Sequence, residues 1–145
     1  MSRVLLLAAD RALPLCNCQR ERTKTVSVNG KPISVCFVGG FLVEEHIYYR
    51  IATEELGLAM KPHRYALELE PCEEDLHELL RYLRAHLSGG EEIELWNLWL
   101  GSDDLGPVPR YRGTLADFDG ETLHQFLLPP HRDGGIGQCC LTVVI

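Results

Sequence analysis

Hydrophobic residues change their spacing once along residues 65–100. Tyr65, Leu67 and Leu69 alternate with polar or small residues, which is the period of a half-buried strand. After Pro71 the leucines recur every three to four residues, the period of a helix, at Leu76, Leu79, Leu80, Leu83 and Leu87. Residues 88–90, Ser-Gly-Gly, are suited to end that helix, and a second apolar segment follows at residues 93–100. The pattern predicts strand, helix and strand in that order.

The N-terminal part begins with a continuous apolar run at residues 4–9, typical of a strand that is buried on both faces. Residues 11–22 show no period, and we expect a loop there. Residues 25–28 and 31–38 are rich in β-branched residues and are separated by Asn-Gly, the pair most typical of a two-residue hairpin turn. We therefore predict a β-hairpin, with Pro32 at a strand start or a sheet edge because proline cannot donate a ladder hydrogen bond.

Residues 43–56 carry the period of a helix, which Gly57 ends. The apolar positions that we expect to face the core are Val43, Ile47, Ile51, Ala52 and Leu56. His46, Tyr49, Arg50 and Thr53 fall on the other side of the helix and are predicted to form one polar face.

The C-terminal part repeats the strand and helix pattern. Residues 110–118 resemble a strand, Asp119 is suited to cap a helix that runs to about residue 128, and residues 139–145 read as a terminal strand. From Tyr65 onward the order is β-α-β-β-α-β. This order predicts an α+β protein with a ferredoxin-like unit, in which two helices cover one face of a four-stranded antiparallel sheet. We expect one domain over residues 1–145, with a β-rich part at 1–60 packed on the ferredoxin-like unit at 61–145.

Composition narrows the class of protein. With 46% hydrophobic and 24% charged residues, the chain has the composition of a folded globular protein. The net charge of −7 argues against binding to nucleic acid, which depends on lysine and arginine to neutralise phosphates. No apolar run approaches the roughly 20 residues of a membrane span, so we expect no membrane partner and a cytoplasmic location. In that compartment the six cysteines are expected to be reduced thiols.

Two groups of residues are candidates for binding a ligand. On the sheet face that the two C-terminal helices leave free, Glu68, Glu94 and Trp96 are expected to point outward. A partner subunit, a ligand or the N-terminal part must cover this face. On the first helix, His46, Tyr49 and Arg50 form a second candidate cluster, where Arg50 is suited to contact a carboxylate or phosphate. A solvated helix face is the alternative interpretation of that cluster.

The cysteines supply a third group of candidates. Cys16 and Cys18 are separated by one residue, whereas structural zinc sites usually place two to four residues between paired cysteines. Cys139 and Cys140 are adjacent on a strand and must point to opposite faces. The sequence therefore predicts no metal site and no cofactor.

Two functions from different classes remain open at this point. We favour a non-catalytic protein-interaction or small-ligand-binding module that self-associates as a homo-oligomer, because no catalytic motif is recognised. The alternative is a thiol- or metal-dependent enzyme that uses Cys16 and Cys18 with a histidine such as His46 or His131. A further enzymatic variant would join Glu68 or Glu94 to Arg50 or Arg112 in one pocket.

Overall fold

The computed structural model describes residues 2–101, 107–129 and 137–145. In that part of the chain the protein is a mixed α/β structure with nine strands and three helices. The strands are β1 (Ser2–Ala9), β2 (Cys16–Asn17), β3 (Arg20–Val28), β4 (Lys31–Gly39), β5 (Leu42–Glu44), β6 (His63–Glu68), β7 (Glu92–Leu100), β8 (Arg110–Thr114) and β9 (Cys139–Val144). The helices are α1 (Ile47–Glu55), α2 (Glu73–His86) and α3 (Gly120–Leu127). None of these helices is long and apolar enough to cross a membrane.

Seven strands form one sheet in the order β2, β5, β6, β1, β7, β9, β8. β1 lies at the centre and is antiparallel to both β6 and β7. At the far edge β8 pairs parallel with β9. The composition of β1 explains its central place, because Leu6, Leu7 and Ala8 are buried in succession and a strand that is apolar on both faces needs cover on both sides.

The order of elements predicted from Tyr65 onward is found as β6, α2, β7, β8, α3, β9. The sheet differs from the four-stranded antiparallel arrangement that we expected of a ferredoxin-like unit. β1 lies between β6 and β7, and the pairing of β8 with β9 is parallel. The local pattern could not reveal this, because the strand that fills the gap between β6 and β7 comes from the other end of the chain.

The two faces of the sheet are covered by different helices. α2 and α3 pack on one face, where Leu79, Leu83, Leu123 and Phe126 join the main core. On the other face Trp96 and Leu98 of β7 form a second core, against which residues of α1 pack. Of the three covers that we considered for this second face, the N-terminal part is therefore the one observed.

α1 presents only part of its predicted apolar side to the sheet. The residues that are buried or pack against the second core are Tyr49, Ala52, Thr53 and Leu56. Ala52 and Leu56 were predicted to face the core, whereas Tyr49 and Thr53 were predicted to lie on the polar face. Ile47 and Ile51, which we expected in the core, are exposed, and Val43 is buried as predicted but belongs to β5. Burial of Thr53 is tolerated because its hydroxyl donates to the Tyr49 carbonyl at 2.8 Å, so that no polar group is left without a partner.

β3 and β4 form a separate two-stranded sheet, which we call the arm (residues 20–39), and we call the rest of the chain the body. Asn29 and Gly30 connect the strands with φ of 52° and 78°, the positive values that the predicted hairpin turn requires. β3 begins at Arg20, inside the segment that we expected to be a loop. Pro32 lies within β4 opposite Ser27 and is accommodated because both strands of a two-stranded sheet are edge strands.

Candidate functional site

The base of the arm is fixed to α2 by a buried ion pair. The two terminal nitrogens of Arg22 donate to the two carboxylate oxygens of Asp75 at 3.2 and 2.6 Å. Asp75 is fully buried in the first turn of α2 and also accepts from the Glu70 backbone N–H at 2.7 Å. The hydrogen bond to Asp75 raises the pKa of the Arg22 guanidinium, so the arginine stays charged. Nearby, Arg20 pairs with Glu74 on the surface.

The side chains of the arm divide into two faces of opposite character. The pairing of Val26 with Ile33 and of Lys24 with Val35 sets one face, and the apolar residues on it are Val26, Val28, Ile33, Val35 and Phe37. We call this set the arm's apolar face. Val28, Ile33 and Val35 are 46%, 44% and 36% exposed. Half of the eight residues on the opposite face carry hydroxyl groups, namely Thr23, Thr25, Ser27 and Ser34.

Two lysines lie on the same side of the arm as its apolar face. Lys24 is opposite Val35, and Lys31 is opposite Val28 near the turn. The Lys24 ammonium lies 5.2 Å from the centroid of the Phe37 ring, so its stem runs along the apolar surface. The apolar face is therefore bordered by positive charge.

A cleft of about 370 Å³ joins the base of the arm to the first turn of α1. We call it the arm cleft, and its lining includes Arg3, Gln19, Val38, Gly39, Gly40, Glu44, His46, Tyr49, Glu68 and Glu70. Gly40 is needed at its wall: φ is 139°, and a Cβ there would lie 2.7 Å from the Cys18 carbonyl oxygen. Three carboxylates make the cleft mainly acidic.

His46 has a structural task at the mouth of the arm cleft. It is the N-cap of α1, and its Nδ1 accepts from the Tyr49 backbone N–H at 3.3 Å. Its ring also stacks on Tyr49, with the ring centroids 3.9 Å apart. Glu68 is held in the same cleft by Gln19, whose side-chain amide donates to it at 2.5 Å. The structure thus brings together His46, Tyr49 and Glu68 from the sequence-predicted set.

The other three candidates lie elsewhere. Trp96 is fully buried, and its ring is covered by the Arg110 guanidinium at 4.7 Å. Glu94 is buried beside it and accepts from the Lys61 backbone N–H at 2.8 Å and from the Trp96 indole at 3.3 Å. Both residues therefore make their contacts with the protein's own groups. Arg50 is exposed on α1 and is not part of the arm cleft.

Cys16 and Cys18 bring their sulfur atoms to 3.7 Å from each other. The Cys18 thiol also lies 3.5 Å from a carboxylate oxygen of Glu78. Burial, followed by the contacts with Cys16 and Glu78, raises the pKa of Cys18 to about 11. In residues 2–101, 107–129 and 137–145, no three or more histidine, cysteine or acidic residues are grouped as metal ligands would be. His131 falls outside the described residues.

Sequence reasoning did not identify the exposed part of α1. Ile47, Tyr48 and Ile51 are 67%, 65% and 50% exposed, and we call these three residues the α1 stripe. No signal in the sequence identified it, because the burial of Thr53, which shows that the helix is turned relative to its apolar stripe, is seen only in the folded structure.

A search of protein-family models, of curated proteins and of solved structures found no match to this chain.

Proposed function

We propose that the protein is a non-catalytic protein-interaction module that self-associates, and that the arm makes the contact. The observation that supports this proposal is the arm's apolar face, five β-branched or aromatic side chains on one side of an isolated two-stranded sheet. Two-stranded hairpins are at best marginally stable in water when they stand alone. Cover from another chain would stabilise the arm.

Burial of this face favours association. Full burial of a valine, isoleucine or phenylalanine side chain contributes roughly 1.5–3 kcal/mol relative to exposure. Because Val28, Ile33 and Val35 are already more than half covered, burial of their remaining surface contributes roughly 2–4 kcal/mol per arm. This offsets a part of the cost of association, which is about 4–15 kcal/mol. The ion pair of Arg22 with Asp75 keeps the arm's direction fixed, so little of that energy is lost in orienting it.

The test is sedimentation velocity over a range of protein concentrations. We expect the wild type to form a concentration-dependent oligomer. Ile33→Thr with Val35→Thr keeps β-branched side chains but adds hydroxyls to the apolar face, so this double variant should be monomeric at the same concentrations. The matched control is Val38→Thr, because Val38 is 70% exposed on the opposite face of the arm. A wild type that stays monomeric, or a double variant that associates equally well, would contradict the proposal.

A second candidate function is favoured by the arm cleft. The stacked rings of His46 and Tyr49 and the carboxylates of Glu44, Glu68 and Glu70 suit a small cationic ligand with an apolar part. Native mass spectrometry of protein purified without an affinity tag tests this candidate. A retained small molecule that is lost in Glu68→Gln supports it, and a clean protein mass in both proteins counts against it.

The thiol-dependent alternative requires a cysteine that is reactive in the native protein. A reactive cysteine needs a depressed pKa and access to solvent, whereas the pKa of Cys18 is raised to about 11. Iodoacetamide at neutral pH should therefore modify the exposed Cys36 first and leave Cys18 largely unmodified. Rapid alkylation of Cys18 in the native protein, read by peptide mass spectrometry, would favour the enzyme over the interaction module.

A further inference from the structure

We infer that the arm's apolar face of one copy docks on the α1 stripe of a second copy, and that the two copies exchange this contact reciprocally. The inference rests on the proposed function, since it assumes that the arm mediates self-association. It adds the identity of the receiving surface.

The α1 stripe has the apolar character that the docking needs. Ile47 and Ile51 are one helical turn apart and lie side by side, with Tyr48 next to them. All three are at least half exposed, although the same helix buries Thr53. A row of large apolar side chains that points to solvent while a polar residue is buried is typical of an interaction surface.

Complementary charges on the two surfaces favour a second copy of this chain as the partner. Acidic residues lie at both ends of the α1 stripe: Glu44 and Glu45 precede α1, and Glu54 and Glu55 end it. Arg50 is the only lysine or arginine between positions 44 and 55. The arm's apolar face is bordered by Lys24 and Lys31, and across the described part of the chain neither lysine forms an ion pair with an acid. The two surfaces of one chain therefore carry opposite charge around apolar centres.

The spacing of the charges also agrees. Lys31 lies opposite Val28, four residues along the strand from Lys24, which separates the lysines by about 13 Å at the rise of a strand. Glu45 lies just before the N-cap His46 and Glu55 is the last residue of α1, a helix whose nine residues span about 14 Å at the rise of a helix. An arm laid along α1 can thus place one lysine near each acidic end.

Each chain supplies one arm and one α1 stripe. A two-fold axis that sets the arm of each copy on the helix of the other makes two identical contacts and uses both surfaces. Such an assembly is closed, so it yields a dimer and not an open chain of copies. Two simultaneous contacts also hold the dimer more tightly than one contact alone.

The test uses two charge-reversed variants, and in each of them like charges on the arm and on α1 oppose self-association. Lys24→Glu with Lys31→Glu gives an acidic arm that faces the acidic helix of its own kind. Glu45→Lys with Glu55→Lys gives a basic helix that faces the basic arm of its own kind. We expect each variant alone to dissociate about 10-fold or more readily than the wild type. An equimolar mixture should recover wild-type association, because an acidic arm then meets a basic helix and a basic arm meets an acidic helix.

A control variant, Glu73→Lys with Glu121→Lys, changes the net charge by the same amount at exposed positions outside the α1 stripe and should associate like the wild type. Failure of the mixture to associate, or unchanged association of Glu45→Lys with Glu55→Lys, overturns the docking inference. If Ile33→Thr with Val35→Thr is still monomeric in that case, the proposed function stands and the arm docks on another surface. A monomeric wild type overturns both.

Discussion

Asp75 is the residue on which the attachment of the arm depends. Its carboxylate is enclosed in the first turn of α2, where it accepts from Arg22 twice and from the Glu70 N–H once. A buried carboxylate is stable only while such donors surround it. Its partner comes from a strand 53 residues away in the chain.

Substitution of Arg22 tests this dependence. Arg22→Ala leaves the Asp75 charge buried without its main partner, and we expect a loss of about 3 kcal/mol in the free energy of unfolding. Arg22→Lys keeps the charge but cannot reproduce the bidentate contact, so its loss should be intermediate. Urea unfolding at neutral pH measures both. The control is Arg20→Ala, which removes an exposed pair and should cost less than about 1 kcal/mol; equal losses for the two arginines would contradict this assignment.

Glu91 gives the protein a specific sensitivity to acid. Hydrogen bonds from Arg11 and from the Ser88 backbone N–H lower the pKa of Glu91 to about 2 in the folded protein. Since a glutamate in an unfolded chain titrates near pH 4, the ionised form stabilises the fold above about pH 5. That contribution is lost as the pH falls through the folded pKa.

Glu91→Gln removes this titration. We expect the stability of the wild type to fall more steeply than that of the variant between about pH 5 and pH 2, because only the wild type must take up this proton on unfolding. Urea unfolding at several pH values measures the slope. A carboxyl of Glu91 that titrates near pH 4 in the folded protein, followed by NMR, would contradict the prediction.

For individual residues, the sequence predicted the type of environment but not the residues that each side chain contacts. The predicted capping role of Asp119 is confirmed, because Asp119 accepts from the Thr122 N–H at 2.9 Å. Helix electrostatics favours Glu73, Glu74 and Asp75 alike in the first turn of α2. Only the tertiary fold, which brings Arg22 over α2, distinguishes the buried acid from the exposed ones.

Among the elements, the arm contributes least to the body. Its apolar residues lie outside the two cores, and Arg20 and Arg22 at its base tie it to α2. Shortening the arm by replacing residues 25–34 with Asn-Gly keeps Arg22 and a hairpin turn. We expect this variant to remain folded, with a melting temperature within a few degrees of the wild type, and to be monomeric. Circular dichroism and sedimentation velocity check the two parts, and loss of the fold would show that the arm stabilises the body.

α1 shows how element-level prediction fails. Its sequence contains a clear apolar stripe, and a period alone assigns that stripe to the core. The helix begins at Ile47 and not at residue 43, because Val43 pairs with Leu67 in the sheet. The short β5 thereby fixes where α1 starts and which side reaches the second core. The start of α1 and its buried side are thus set by sheet pairing, which the periodicity of the helix does not reveal.

For the whole molecule, β1 makes one unit of the two parts of the chain. It pairs with β6 on one side and with β7 on the other, so the sheet is continuous only through residues from the N-terminus. The sequence predicted the strand and its burial, but not its neighbours. Which strands pair with β1 depends on which of them complete the cores on both faces of the sheet. A local sequence pattern does not contain that information.

Native-state hydrogen exchange tests the central role of β1. We expect the amides of Leu6 and Leu7 and their partners Trp96 and Leu95 to exchange only on global unfolding, because they are enclosed between strands and under both cores. In the monomeric variant, the amides of the arm should exchange far faster than those of β1. Fast exchange in β1 would show that the two parts open independently.

The central place of β1 also has a consequence for the time course of synthesis. Its pairing partners end at Glu68 and at Leu100, the latter more than ninety positions after Ala9. At roughly 5–20 residues per second, the apolar run waits on the order of 5–18 s for its second neighbour. During that interval the apolar run of β1 is a nascent segment suited to chaperone binding. β1 leaves the ribosome before the other strands of the sheet but is enclosed only after most of them have been made.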